Sequence, residues 1–451
     1  MKVIIVGAGK LGFKVATILA LEKNAEITVV DKNTAALEHI SDYADVMTLK
    51  ANGIHLNTLE GIGIRQYELG IAATGNDETN IICATMLKKI GCTKVIARIR
   101  SPEYVEHKAF IKETMNIDLI VNPEMSTAKS IYNYLMKSYS FNINNFALSR
   151  ISLFDLPAKS LPQVVGVALK HTQGLEEFVI VAISRGDEVV IPNGDSVIEE
   201  EDILYIMGKT DKLDQFLKAS KTIQSAHSIK NAVIVGGSRV GFYLAKLLSL
   251  KGIGVKIIEK DPERCEFLAE ILPRNVLVLC ADGSDFKLLE EEDVASADAF
   301  ICTTGYDEEN LLLALSVKKL GVAKCVAKVS RSNYINIIEK LGVDVVFSTI
   351  DITSSQIIKF FRGGKVRSVS LLLNGKAEVN EIIADSKMKI VGKPLMAVKL
   401  PAGVIIGALV NQKDEVTIPN GHTVIEEGDR FVVFSLASML QNANLFFTRE
   451  K

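Results

Sequence analysis

Short runs of β-branched and other apolar residues alternate with amphipathic stretches along the first part of the chain. The runs Lys2–Val6, Glu26–Val30, Val46–Lys50, Leu69–Ala73, Lys94–Ile99 and Asp118–Val121 read as strands. Their apolar character is near-continuous, which suits strands covered on both faces. Helical stretches such as Lys10–Leu21 and Asn76–Ile90 lie between them. Strand and helix alternating in this way predict an α/β lobe built on a doubly wound parallel sheet. From about residue 145 the pattern changes. Valine-rich strands flank a Pro-Asn-Gly turn that leads into an acidic loop of Glu199, Glu200, Glu201 and Asp202. That stretch predicts a small α+β lobe.

The whole pattern then returns. VIIVGAGKLG at 3–12 reappears as AVIVGGSRVG at 232–241, and ATGNDETN at 73–80 as TTGYDEEN at 303–310. VVIPNGDSVIEEEDILYI at 189–206 reappears as VTIPNGHTVIEEGDRFVV at 416–433. The offsets are 229, 230 and 227 residues, and three different motifs keep one order. The chain is therefore a tandem duplication of a unit half its length. Four lobes are expected: 1–125, with a helical stretch to about 140; 141–222; 229–350, with a helical stretch to about 364; and 365–448. A polar segment, 219–230, links the two copies.

Length alone, 451 residues, suggests about three domains; the repeat replaces that number with four lobes. Acidic and basic side chains nearly cancel, 54 against 52, for a formal net charge of -2. That balance argues against nucleic acid as a main partner, because neutralising phosphates needs a basic excess. Hydrophobic residues make up 48% and charged residues 24%, which excludes a largely disordered chain. The six cysteines form no CxxC pair and most sit in apolar runs, so they are expected to be buried free thiols in a reducing cytosol. Six scattered histidines make no ligand set, and no metal site is expected. The apolar start reads as a first strand rather than a signal peptide. No apolar run is long enough to span a membrane.

Candidate chemistry gathers at the glycine loops. Gly7-Ala8-Gly9-Lys10-Leu11-Gly12 directly follows a strand and opens a helix. In a Rossmann-like lobe the first glycine permits the tight turn and the second lets a pyrophosphate approach the backbone. The third lets helix and strand pack closely, and the helix N-terminus supplies N–H donors. Asp31 ends the second strand, where a carboxylate accepts from ribose hydroxyls and repels a 2′-phosphate. The second copy has Gly236-Gly237-Ser238-Arg239-Val240-Gly241, with Glu259 as its acid. A Cβ at Ser238 crowds the pyrophosphate, so the second site is expected to be weaker or to take a different nucleotide. Lys10 and Arg239 hold one place in the two loops; each is read either as a phosphate partner, even of a neighbouring subunit, or as a solvated charge. Thr74-Gly75 and Thr304-Gly305 end the fourth strands and are expected to rim the same cleft. Asp77 and Asp307 follow them as possible helix caps. Asp282 after the third strand is expected near the ribose or adenine; Asn52 stands in its place in the first copy. Arg98 closes the fifth strand, either for phosphate or for a surface ion pair.

These residues carry a resemblance. The glycine loops with their acids, the paired TGNDETN and TGYDEEN segments, ARIRSPEY at 97–104 and the doubled IPNG turn resemble the RCK (KTN) regulatory domains of potassium channels and transporters. The doubled four-lobe order is similar to the nucleotide-binding subunits of bacterial and archaeal Trk potassium uptake systems. The resemblance implies a peripheral protein on the cytoplasmic face of the cell membrane, assembled as a homo-oligomeric ring, dimer or tetramer. It implies NAD(H) or ATP/ADP in the Rossmann-like lobes and gating of a separate membrane potassium-translocating subunit of the Trk type. It places nucleotide contacts on Gly7 to Leu11, Asp31, Thr74, Gly75 and Arg98, and on Gly236 to Val240, Glu259, Asp282, Thr304 and Gly305. It also implies that the stretches at 130–139 and 355–364 are crossover helices at a lobe contact; their apolar residues equally suit intrachain core helices. An RCK-type sensor of another transporter shares every local feature. An NAD-dependent dehydrogenase would need an acid/base constellation beside the nicotinamide. The second lobe of each copy is short, and His171 and His422 occupy unmatched places, so no enzyme is expected.

Overall fold

The computed structural model describes residues 1–22, 25–136, 143–146, 150–175, 177–186, 188–219, 229–330, 343–362, 366–372, 377–436 and 439, with 143–146 and 366–372 described as backbone only. The first lobe holds β1 (Lys2–Val6), α1 (Lys10–Leu19), β2 (Glu26–Asp31), α2 (Thr34–Tyr43), β3 (Met47–Lys50) and α3 (Leu56–Ile62). It continues with β4 (Leu69–Ala72), α4 (Asp77–Ile90), β5 (Lys94–Arg98), α5 (Pro102–Glu106), α6 (Lys108–Thr114), β6 (Leu119–Val121) and α7 (Pro123–Leu135). The next lobe holds β7 (Ile143–Phe146), β8 (Ile151–Pro157), β9 (Phe178–Arg185), β10 (Glu188–Val190), β11 (Ile203–Lys209) and α8 (Thr210–Ala219). The second copy begins with β12 (Asn231–Val235), α9 (Arg239–Ser249), β13 (Gly254–Glu259), α10 (Pro262–Ile271), β14 (Val276–Cys280), α11 (Phe286–Glu291), β15 (Ala299–Cys302) and α12 (Asp307–Lys319). Then come β16 (Lys324–Val329), β17 (Val345–Ser348), α13 (Thr349–Arg362), and the strands β18 (Val366–Leu372), β19 (Ala377–Ile383), β20 (Val404–Val410), β21 (Val416–Thr417) and β22 (Arg430–Leu436).

Sheet order confirms the duplication. The first sheet runs β3-β2-β1-β4-β5-β6 and its counterpart β14-β13-β12-β15-β16-β17, all pairs parallel. The chain order reverses beside the first strand of each sheet. The crevice at that switch point lies outside the carboxyl ends of the strands, where ligands bind. Central strands are buried along nearly their whole length, Val3, Ile4 and Ile5 fully so; this explains why the strand runs read as apolar rather than alternating. The two small lobes carry antiparallel sheets, β10-β9-β11-β8-β7 and β18-β19-β22-β20-β21. In the acidic loop Glu199, Glu200 and Glu201 are exposed, and Asp202 is the brace. Asp202 is buried and accepts from Arg185 Nε at 2.9 Å and Glu199 N at 2.8 Å.

The chain forms two compact units: the two parallel-sheet lobes together, and the two small lobes together. In the first unit α7 leaves its own sheet and packs on α9 of the other copy. Ile131, Tyr134 and Leu135 share one buried core with Val240, Phe242 and Leu244. Each such side chain contributes roughly 1.5–3 kcal/mol on burial. The stretch read at 130–139 is thus a lobe–lobe contact as far as Met136; 137–139 lie outside the described residues. Lys14 pairs with Asp351 at 3.1 Å, and the Tyr243 hydroxyl donates to Arg100 O at 3.3 Å. In the second unit one core draws Val181 and Met207 together with Val379, Val432 and Phe434.

Two readings are corrected. Asp77 is not a cap: Asn76 caps α4, accepting from Thr79 N at 2.7 Å, while Asp77 ties down the loop after β5 through Arg100 N at 2.9 Å and Ser101 N at 2.7 Å. Asp307 does the same for Ser330 N at 2.9 Å. Five cysteines are buried, but Cys280 is exposed, because β14 is an edge strand whose last residue meets solvent.

Candidate functional site

The first glycine loop joins β1 to α1 at the switch point. Gly7 has φ +112°, and a Cβ there would lie 2.8 Å from the Ala73 carbonyl carbon; only glycine fits. A Cβ on Gly12 would overlap the Gly7 carbonyl oxygen. Gly9 differs from both. It is the N-cap of α1, makes no side-chain cap, and a Cβ built on it meets nothing within 4 Å. The helix therefore presents uncapped N–H groups and a positive dipole end to open space.

Asp31 braces this loop. One carboxylate oxygen accepts from Ala8 N at 2.6 Å and the other from Asn33 N at 2.8 Å. Each oxygen keeps a further acceptor site for a ribose hydroxyl. The opposite wall is set by Asn80, which is fully buried. Its amide oxygen accepts from Thr74 N at 2.8 Å, and its nitrogen donates to Arg98 O at 2.9 Å. Asn310 repeats both bonds with Thr304 N and Lys328 O. Asn80 and Asn310 lie in the paired segments yet received no role from sequence; their signal was one identical side chain at one place in both copies.

A cavity of about 1300 Å³ opens from this loop into the cleft between the two parallel-sheet lobes. Gly7, Gly9, Lys10, Leu11, Asp31, Asn52, Thr74, Gly75 and Arg98 line it from the first copy. Ser238, Arg239, Val240, Arg264, Thr304, Gly305 and Lys328 line it from the second. Ala8 and Gly12 lie behind the loop and pack it, as does Gly241 in the second copy. The cleft collects cations. Arg98 donates to Thr74 O at 3.2 Å, and its Nε is buried with no hydrogen-bond partner among the described residues. Burial, then Arg100, hold the Arg98 guanidinium below its usual pKa, and Arg239 of the other lobe adds to that. Lys328 donates to Thr304 O at 2.9 Å; burial lowers its pKa, and Lys10 of the first lobe pushes it the same way. Each loop's basic residue thus faces the other lobe's fifth-strand cation, an arrangement that an anion would relieve. One carboxylate intrudes. Glu124, 8% exposed, pairs with Arg100 Nε at 2.7 Å through one oxygen, while the other oxygen is buried without a partner among the described residues. Sequence reading gave Glu124 and Arg264 no part, since neither recurs in the other copy.

The second loop has the same backbone and a different surface. Glu259 braces it as Asp31 does, accepting from Gly237 N at 2.6 Å. Ser238 caps its own helix, accepting from Gly241 N at 3.4 Å. Arg264 reaches over and donates to Gly237 O at 2.6 Å, stacked 4.6 Å from the Phe267 ring. The remaining cavity is about 290 Å³, lined by Gly236, Gly237, Ser238, Glu259, Asp282, Thr304, Gly305 and Glu309. Asp282 closes its own turn, accepting from Ser284 N at 2.9 Å, which lowers its pKa. Asn52 makes the matching turn through Ile54 N and contacts His55 Nε2 at 2.9 Å. Among the described residues no group of three or more His, Cys, Asp or Glu is placed to hold a metal ion, and no helix is long and apolar enough to cross a membrane.

Comparison with known proteins supports the resemblance. The TrkA-N domain model matches residues 3–123 and 232–349, and the TrkA-C domain model matches 155–221 and 380–446. The chain is 32% identical over 455 residues to Trk system potassium uptake protein TrkA homolog 1 of Methanosarcina mazei, covering 99% of this chain and 100% of that protein. It is 31% identical over 444 residues to Trk system potassium uptake protein TrkA of Vibrio alginolyticus, covering 96% and 95%. These relatives are named as potassium uptake proteins and not as enzymes. Among solved structures, the GsuK channel bound to NAD shares the fold, with a TM-score of 0.57 at 16% identity, covering 99% of this chain and 78% of that one.

Proposed function

The chain belongs to the TrkA family of potassium uptake proteins, and from that premise we propose that it is the nucleotide-responsive regulatory subunit of a potassium uptake system. It binds NAD(H), ATP or ADP at the Gly7–Gly12 loop and gates a separate membrane subunit of the Trk type from the cytoplasmic face. Its working form is a homo-oligomeric ring, a dimer or tetramer. The nucleotide supplies negative charge and binding energy and undergoes no reaction.

One observation carries this reading: the cavity at the first loop is walled by cations of both lobes, Lys10 and Arg98 from one and Arg239 and Lys328 from the other. The uncapped N-terminus of α1 and the open space at Gly9 fit a pyrophosphate. Asp31 suits an unmodified ribose and repels a 2′-phosphate. A ligand seated there touches both lobes, so its affinity depends on how far apart they stand. Differential affinity for two lobe arrangements is what a ligand needs to shift them, and the coupling is reciprocal. Ser238 and Arg264 make the second loop the poorer phosphate site.

The test is co-purification with the membrane subunit, followed by potassium flux in reconstituted vesicles with and without ATP, ADP and NADH. Flux is expected to change with at least one nucleotide, and the change is expected to vanish when Asp31 is replaced by alanine. Flux indifferent to all three, with binding intact by calorimetry, sinks the gating role.

A further inference from the structure

The six cysteines do not share one environment. Burial pushes the thiols of Cys83 and Cys325 up to about 12 and that of Cys92 to about 11, and Cys302 is fully buried. None of these four is exposed to meet an oxidant. Cys265 and Cys280 stand apart because one is exposed and both lie against Glu259. Cys280 is exposed and ends β14, in register with Glu259 on β13. Cys265 lies on α10, 7% exposed, and its thiol donates to Glu259 O at 3.2 Å. That carbonyl also accepts from Ala281 N at 2.8 Å, directly after Cys280. One carbonyl oxygen, that of Glu259, therefore gathers the Cys265 sulfur and the backbone N–H directly after Cys280. The first copy has nothing similar. Lys50 holds the strand position in register with Asp31, and Leu37 the helix position.

We propose that Cys265 and Cys280 form a redox-active dithiol that closes to an intrachain disulfide on reaction with a small-molecule disulfide. Cys280, as its thiolate, attacks one sulfur of the oxidant. The oxidant's S–S bond breaks, a mixed disulfide forms on Cys280, and one thiolate leaves and takes up a proton. Cys265 then gives its proton to solvent and attacks the Cys280 sulfur. The Cys265–Cys280 bond forms as the second thiolate leaves and is protonated. Two protein thiols are oxidised by two electrons in all, and one disulfide is reduced to two thiols.

Exposure assigns the roles: Cys280 meets the oxidant and Cys265 resolves the adduct. Burial, and then Cys280 itself, push Cys265 up to about 12, so it is not the thiol that takes the first step; in the second, the mixed disulfide is held on the neighbouring strand. Closure ties α10 to β14 across Glu259 and removes the S–H donor from the Glu259 carbonyl. The site does not depend on which nucleotide the neighbouring loop holds.

The test uses the folded full-length chain, incubated with glutathione disulfide, alkylated, and mapped by peptide mass spectrometry. Wild type is expected to yield a Cys265–Cys280 cross-linked peptide. Cys265→Ala is expected to retain glutathione on Cys280, and Cys280→Ser to remain unmodified at Cys265. The thermal midpoint of wild type should rise on oxidation and return on reduction, because the cross-link restricts the unfolded chain; that of Cys265→Ala should not. A lasting glutathione adduct on wild-type Cys280, or no modification of either cysteine, overturns the proposal.

Discussion

Gly9 and Ser238 stand at one place in two copies of one loop, and the molecule treats them differently. At Gly9 the helix end is uncapped and faces a cavity of about 1300 Å³. At Ser238 a hydroxyl accepts from the helix's own N–H, Arg264 covers the neighbouring carbonyl, and about 290 Å³ remains. The braces behind the loops are the same, since Asp31 and Glu259 each accept from the loop backbone at 2.6 Å. A duplicated motif can thus keep its architecture in both copies while one copy caps its own helix N-terminus. The second copy's basic residue, Arg239, then turns toward the first copy's cavity.

The comparison can be broken most severely at Gly12. Gly12→Ala drives a methyl into the Gly7 carbonyl, and we expect a loss of about 3 kcal/mol together with nucleotide binding at the first loop. A variant that melts with wild type and binds normally would show that the loop packing is misread. Next in size is the pair of acids. Asp31→Ala should weaken nucleotide binding by more than about tenfold, or 1.4 kcal/mol, while Glu259→Ala leaves the tightest calorimetric site in place. Equal losses from both would erase the distinction between the loops.

A direct exchange is subtler. Gly9→Ser should let α1 cap itself and weaken binding by about five- to tenfold, the worth of roughly 1 kcal/mol in a capping bond. Ser238→Gly should cost only a few tenths of a kcal/mol in stability and strengthen the second site. If affinities do not move in opposite directions, capping is not what separates the sites.

The effect farthest from the two loops concerns the contact that holds the two lobes together. Lys324 is buried where it donates to Leu135 O at 3.3 Å, and burial lowers its pKa from 10.5 to about 8. Between those values the unfolded chain binds the extra proton, so Lys324's own contribution to stability rises with pH there, while the buried thiols raised to about 11 and 12 contribute in the opposite sense. From pH 8 to about 10 the gain of wild type over Lys324→Met should be on the order of 2 kcal/mol. From about pH 10, Tyr243, raised to about 12 by burial, also lowers stability as pH rises, because unfolded tyrosine ionises first. Denaturant melts of wild type and Lys324→Met across this range check it; parallel slopes would remove Lys324 as the cause.

Much of the fold was legible. The apolar runs placed β1 to β6 within a residue or two, and for the central strands this is because a strand covered on both faces has no polar side to obscure it. Asp31 and Glu259 were found by their fixed distance from the glycines. Asn80 and Asn310 were not, although they hold the Thr74 and Thr304 turns, since a buried amide resembles any other polar residue in a helix. Asp77 was read as a cap because its type and place suited one; its actual bond, to the backbone after β5, joins residues far apart in sequence.

What the sequence by itself determined is the duplication, the lobe order and the local form of each loop. All three depend on the spacing of residues near one another along the chain. Only the tertiary structure decided that α7 packs on the other copy, that Arg239 lines the first copy's cavity, and that Cys265 and Cys280 both lie against Glu259. Those depend on sheet order and helix packing, which bring together side chains that no local pattern relates.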